Sequence, residues 1–333
     1  MQTPNGQGVL VHCETAGGRL APIALELLGA GSRLAAELGQ ELSAVLIGEG
    51  VRPLASEAIA YGAGKVYVAD DSALRDYSCE LYLQVMERVV QENRPAILLF
   101  GQTLVGRELA PWLAFRLDTA ATMDCLALAV EPGSKRLLMT RPVYGGNAQA
   151  VQVSKNDPQI ATVRLKAMAP AVREEGRTGE VVEVAVAGQL AAPRVRTLEK
   201  KVEPTAGVRL EEARVIVAGG RGIGDASGFE QLEELAALLG GAVGATRPPC
   251  DAKWVAESKQ IGITGKIVSP DLYIAVALSG ASQHLSGCSS SRVIVAINKD
   301  PEANVFKVAD YGIVDDWKAV VPALISCLRT EAS

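Results

Sequence analysis

The chain has 333 residues, 48% of them apolar and only 4% aromatic, with a formal charge of −5 at pH 7. That length allows two domains, and an abundance of small apolar side chains suits helices lying close against a parallel sheet. The acidic balance offers no cluster of Lys and Arg for nucleic acid, and the two histidines, His12 and His284, belong to no ligand-spaced metal cluster.

Gly8–Cys13 (GVLVHC) predicts a buried strand, residues 21–38 a helix, Leu42–Ile47 a second strand, Val51–Tyr61 a helix and Lys65–Val68 a third strand. Leu81–Asn93 follows as helix and Ala96–Phe100 (AILLF) as a fourth strand. Strands alternating with helices of this length predict crossover units and a mostly parallel sheet. In residues 101–120 (GQTLVGRELAPWLAFRLDTA), Gly101, Thr103 and Gly106 mark a strand-to-helix turn. That turn either docks a phosphate or simply caps a core helix carrying Leu109, Leu113 and Leu117.

Between Cys125 and Val163 the character changes. The runs LALAV, RLLMTRPVY, AQAVQVS and QIATVRL are separated by PGSK, GGN and KNDP, which are hairpin-type turn signals, so this part is expected to be antiparallel. A strand is expected over Glu180–Val186. The mixed charges of Arg194, Arg196, Glu199, Lys200, Lys201 and Glu203 then predict a solvated linker. The expected organisation is a first domain over 1–190, a linker over 191–208 with the boundary near Gly207, and a second domain over 209–333.

The second domain opens on RVIVAGGRGIG. Val215–Val217 predict a strand, and Phe229, Leu232, Leu235, Ala236 and Leu239 mark one face of a helix. The glycines between them fail the dinucleotide fingerprint, because Gly220-x-Gly222 is followed by Asp225 at the third position. Tyr273–Leu278 and Arg292–Ile297 predict further buried strands. The turns after them, SGASQH and NKDPEA, lie where ligands of open α/β sheets collect. Asp316 stands where it would cap a last helix bearing Trp317, Val320, Val321 and Leu324.

Six scattered cysteines without a Cys-x-x-Cys pair point to a reduced, cytoplasmic setting. The opening MQTPNGQGVLVHCE does not read as a secretory leader. No apolar run approaches the ~20 residues of a membrane helix.

Ala218–Gly224, Gly244–Asp251, Gln260–Lys266, Ser279–His284 and Ala296–Val314, in that order, resemble the alpha subunit of electron transfer flavoproteins. LFGQTLVGRELAPWLAFRLDTA and MTRPVYGGNAQA extend the resemblance into the first domain. It implies two α/β domains, each a mostly parallel sheet flanked by helices. The first carries added antiparallel strands, and the second is a doubly wound FAD-binding domain. It also implies a heterodimer with a beta subunit, with one FAD in this chain and AMP or a second FAD in the partner. Electrons would pass from an acyl-CoA dehydrogenase or similar flavin dehydrogenase to a quinone or ferredoxin-linked acceptor, in a simple or an electron-bifurcating form.

The resemblance assigns no catalytic residue. Arg247 would lie against the isoalloxazine and raise its potential, Thr264 would meet N5, and His284 would donate near O2. Gln260 and Gln283 would contact the ring and ribityl chain. Arg221 and the run Ser279, Gly280, Ala281 and Ser282 would hold the pyrophosphate, while Asn298 and Asp316 would take the adenosine end. Thr246, Ile261, Gly262, Ile263, Lys299 and Trp317 complete the expected contacts. Residue by residue the bland readings stay open: an ion-paired surface Arg247, a helix-cap His284, a Thr264 hydroxyl bonded to its own backbone. Two other functions compete, a nicotinamide-nucleotide-binding oxidoreductase subunit and a structural partner with a vestigial pocket.

Overall fold

A computed structural model describes residues 5–146, 148–186, 188–195, 197–199 and 208–331. It divides into two compact units, one of 1–143 and 149–201, the other of 144–148 and 202–333. The expected boundary at Gly207 and most charges of the expected linker lie outside the described residues.

The first unit is built on seven parallel strands. In spatial order they are Glu180–Glu183, Lys65–Asp70, Leu42–Gly48, Val9–His12, Ile97–Gly101, Gln159–Val163 and Ala121–Cys125. Alternate residues of the central strand serve opposite faces. Val9 and Val11 pack with the helix Pro22–Leu38, whereas Leu10 packs with the helices Cys79–Asn93 and Leu104–Arg116. Leu104–Arg116 is capped by Thr103, whose hydroxyl accepts Gly106 N–H at 3.0 Å. Capping is therefore what that turn does in this chain. The helix expected over Val51–Tyr61 is divided into a 3-10 turn, Arg52–Leu54, and the short helix Ala55–Ala60.

The antiparallel expectation holds for Ala127–Val130 and Leu137–Val143, which together with Ala148–Gln152 form a separate three-stranded sheet. It fails for Gln159–Val163, which pairs in parallel with the strands on both sides. The reason is burial: all five of its residues are covered, as a strand between two helical layers requires, whereas Ala127–Val130 alternates. Ala121–Cys125, a strand the hydrophobic pattern did not mark, forms the sheet edge beside it.

The second unit holds five parallel strands in the order Ala242–Ala245, Val215–Gly219, Leu272–Val276, Val293–Ile297 and Tyr311–Ile313. Here too the hydrophobic pattern missed two, the glycine-containing outer strands Ala242–Ala245 and Tyr311–Ile313. One face is covered by the helices Gly228–Leu238 and Trp317–Glu331, which bury Phe229, Leu232, Leu235, Trp317 and Val321 against Val217, Ile274 and Val276. The other face carries Ile216, Ala218, Tyr273, Ala275 and Ile294, packed under short segments that include Ile261, Cys288 and Val305. The chain winds outward from Val215–Gly219 to one neighbour and then crosses to the other side. Such a reversal opens a crevice at the carboxyl ends of the strands.

At that reversal the first turn presses on the third. A Cβ placed on Gly220 would stand 2.4 Å from Ala277 O and 2.5 Å from Leu278 Cα. Both obstacles are main chain, so neither gives way cheaply. Gly220→Ala is expected to destabilise the protein by about 1–3 kcal/mol, the range for overpacked sites. Chemical denaturation checks this, and an unchanged midpoint would mean that the turns are not held together at Gly220.

Candidate functional site

Because its strands all run one way, the second sheet gathers their carboxyl ends along one edge. Val215–Gly219 leads into Arg221, Ala242–Ala245 into Thr246 and Arg247, and Leu272–Val276 into the turn 279–284. Val293–Ile297 leads into Asn298 and Lys299, and Tyr311–Ile313 into Asp316 and Trp317. The Gln260–Thr264 turn is drawn to the same edge, since Ile261 N–H donates to Ala245 O at 2.9 Å. It is also tied to the third turn, where Ile263 N–H donates to Gln283 O at 2.9 Å. All the residues expected from the sequence thus belong to turns at one edge of one unit.

The turn after Leu272–Val276 offers the clearest binding feature. Among the described residues, the backbone N–H groups of Ser279, Gly280, Ala281, Ser282 and Gln283 have no hydrogen-bond acceptor. Gly280 adopts φ +75°, and a Cβ there would meet Val305 N at 2.2 Å, so only glycine fits this bend. Successive unpaired amides form a concavity suited to an anion. This donor set fits the diphosphate of a dinucleotide-type cofactor. Arg221 stands exposed on the neighbouring turn.

Several side chains keep a group available for a ligand. Gln260 Nε2 donates to Thr264 Oγ1 at 2.9 Å, which leaves the threonine O–H as a donor. The partner is thus a side chain rather than Thr264's own backbone. Thr246 occupies the cap position before Arg247–Asp251, yet its hydroxyl makes no capping bond. Arg247 is 68% exposed and paired with Asp251 at 3.2 Å. Asp316 caps the last helix as its sequence position predicts: Oδ1 accepts Lys318 N–H at 2.9 Å, and the other oxygen remains an acceptor.

Several other expected contact residues have their polar atoms bonded within the protein. His284 is 5% exposed; its Nε2 meets Tyr273 Oη at 2.8 Å and its Nδ1 lies 3.0 Å from Ile261 O. Both ring nitrogens are thus hydrogen-bonded within the protein. Burial also lowers its pKa to about 4. Trp317 is buried, with Nε1–H donating to Gly222 O at 3.2 Å. Asn298 gives Nδ2–H to Leu278 O at 2.8 Å and takes Asp300 N–H on Oδ1 at 3.0 Å. Ile261 is core, Ile263 is exposed, and Gly262 N–H donates to Lys266 O. Lys299 and Gln283 are exposed.

Sequence reasoning missed Tyr273, the buried partner of His284. A tyrosine inside an otherwise apolar strand was the available signal, since a buried phenol needs a hydrogen-bond partner.

A cavity of about 570 Å³ lies within the first unit, bordered by Ser32, Gln40, Tyr61 and Arg177. Among the described residues no helix is long and apolar enough to cross a membrane, and no cluster of three or more His, Cys, Asp or Glu could hold a metal ion.

Residues 9–188 match the electron transfer flavoprotein domain, and residues 209–289 match the electron transfer flavoprotein FAD-binding domain. An electron transfer flavoprotein subunit alpha of Thermoanaerobacterium thermosaccharolyticum is 43% identical over 322 residues, covering 96% of this chain and 97% of that one. The subunit alpha of Bacillus subtilis is 44% identical over 322 residues, covering 96% of each. Subunit LctC of an NAD(+),ferredoxin lactate dehydrogenase of Acetobacterium woodii is 35% identical over 326 residues, covering 97% of this chain and 77% of that one.

The buried histidine gives a pH signature. With a folded pKa of about 4 against the ordinary 6.5, His284 takes up its proton more readily when unfolded. Its contribution to stability is complete above pH 6.5 and is lost as pH falls towards 4, to a ceiling of about 3 kcal/mol. Glu14 in the first unit acts in the opposite sense. Its pKa is raised to about 7 by burial, so its contribution is lost as pH rises from 4.5 to 7. Comparison of wild type with His284→Gln isolates the first effect. The variant should lose less stability over that acid window, and parallel pH profiles would refute the assignment.

Proposed function

The chain belongs to the electron transfer flavoprotein alpha-subunit family, and from that premise we propose that it is one half of a heterodimeric electron relay. A beta subunit completes the particle, and one FAD is held at the carboxyl edge of the second sheet. The reading is supported above all by a coincidence: the span matching the FAD-binding domain includes the row of unpaired amides at 279–283.

When bound, FAD supplies reversible redox chemistry, while the protein supplies binding, orientation and surrounding charge. The amides of Ser279–Gln283 and the guanidinium of Arg221 receive the diphosphate. The unengaged oxygen of Asp316 accepts from ribose hydroxyls, with Lys299 beside it. Thr264 presents its O–H to the ring, and Thr246 and Gln260 supply further polar contacts. Arg247 turns from Asp251 to the isoalloxazine. That surface pair is worth only about 0–1 kcal/mol, so little opposes the movement. A fixed positive charge there favours added electrons and raises the flavin potential. No residue is assigned acid–base or nucleophilic work, in keeping with a carrier that exchanges electrons with a flavin dehydrogenase on one side and a quinone or ferredoxin-linked acceptor on the other.

A second reading, electron bifurcation, is favoured by the similarity to a subunit of an NAD(+),ferredoxin lactate dehydrogenase. It calls for a second flavin in the partner, whereas the simple relay carries AMP there.

Flavin counting on the purified heterodimer separates the two. In either case Arg247→Ala should lower the potential of the flavin in this chain. A colourless heterodimer that ignores added FAD would refute the relay, and an unchanged redox titration would remove Arg247 from the ring.

A further inference from the structure

The turn Gln260–Lys266 is closed by its own main chain. Gly262 N–H donates to Lys266 O at 3.1 Å, Gly265 N–H to Gly262 O at 3.0 Å, and Lys266 N–H to Gln260 O at 2.8 Å. Two more bonds fix it from outside, Ile261 N–H to Ala245 O and Ile263 N–H to Gln283 O, both at 2.9 Å. The closure is tight: a Cβ on Gly265 would stand 2.4 Å from Gln260 O and 3.0 Å from Gln260 Cγ. The Gln260 side chain therefore lies against the backbone of its own turn, and from there Nε2 reaches Thr264 Oγ1 at 2.9 Å. Thr264 is exposed and forms no other hydrogen bond among the described residues.

The direction of that bond matters. An amide N–H only donates, so the threonine oxygen is the acceptor in this pair and its own hydrogen leaves on another side. An acceptor in the same place, such as a carboxylate, would draw that hydrogen inward and leave lone pairs facing outward. Gln260 thus decides whether Thr264 meets a ligand as a donor or as an acceptor. A donor favours a ring on which negative charge is building, because hydrogen bonds to charged acceptors are about twice as strong as those to neutral ones.

We propose that Gln260 is a positioning residue for the redox centre: its side-chain amide turns the Thr264 hydroxyl outward as a donor, so that the turn favours the ring more after it has gained an electron than before. This inference rests on the flavin reading, with the ring beside Thr264. It gives Gln260 a role that runs through another side chain, and it sets that role apart from the effect of Arg247, which is carried by charge.

Redox titration of the FAD-loaded heterodimer tests it, with Gln260→Met as a variant of similar size that has no amide. One-electron reduction of the flavin should become about 3–10-fold less favourable, the loss of one hydrogen bond, or about 30–60 mV at 59 mV per tenfold change. In a Thr264→Val background the same change at Gln260 should have almost no effect on the potential. An equal shift in both backgrounds would mean that Gln260 acts on the ring directly or through the fold, and overturns the proposal. So does an unchanged potential in Gln260→Met. The full chain without FAD gives a second reading, independent of that variant. A hydrogen of the Gln260 side-chain amide should exchange more slowly in the wild type than in Thr264→Val, and equal exchange overturns the proposal even if Gln260→Met fails to fold. A heterodimer that takes up no FAD overturns the relay and this inference with it, whereas normal FAD uptake with either comparison failed overturns this inference alone.

Discussion

The second unit depends on a geometrical constraint: parallel strands bring all their carboxyl ends, and hence the turns that follow, to one edge. Side chains separated by nearly a hundred positions, such as Arg221 and Asp316, thereby come to the same edge of the sheet. The reversal of winding beside Val215–Gly219 adds the crevice, and Gly220 and Gly222 let the first turn approach the third. The glycine-rich stretch is therefore a packing device. On the turn after Leu272–Val276, by contrast, five consecutive amides have no partner among the described residues.

The charges at this edge divide by environment. Arg247 and Asp316 are exposed and lightly held, so a ligand can recruit them. His284 is enclosed, its ring nitrogens paired with a phenol and a carbonyl, and burial keeps it neutral. Enclosed groups of this kind fix the turns they join. Trp317 and Asn298 belong with His284, since each uses its polar atoms to tie one turn to another.

Much of this was legible in the sequence. Unbroken apolar runs such as AILLF and YIAVAL marked buried parallel strands, and short motifs in a fixed order gave the family. Asp316 was readable as a cap because capping depends on a few neighbouring residues. Gln159–Val163 was misjudged for the opposite reason: pairing direction depends on distant strands, and turn residues on either side suggested hairpins. His284 was expected at the ligand because its motif lies at the right turn. Its hydrogen bonds to Tyr273 and Ile261 were not legible, since that partnership exists only in three dimensions. Thr264 likewise met a side chain, that of Gln260, where local reasoning offered only its own backbone.

The central claim is that a flavin dinucleotide is received by the turn after Leu272–Val276. Amide hydrogen exchange of the heterodimer with and without FAD tests it most directly. Exchange at Ser279–Gln283 should slow markedly when FAD binds, with a smaller change across the Gln260–Thr264 turn. FAD binding that leaves those amides exchanging as before, with protection confined to the first unit, would contradict it.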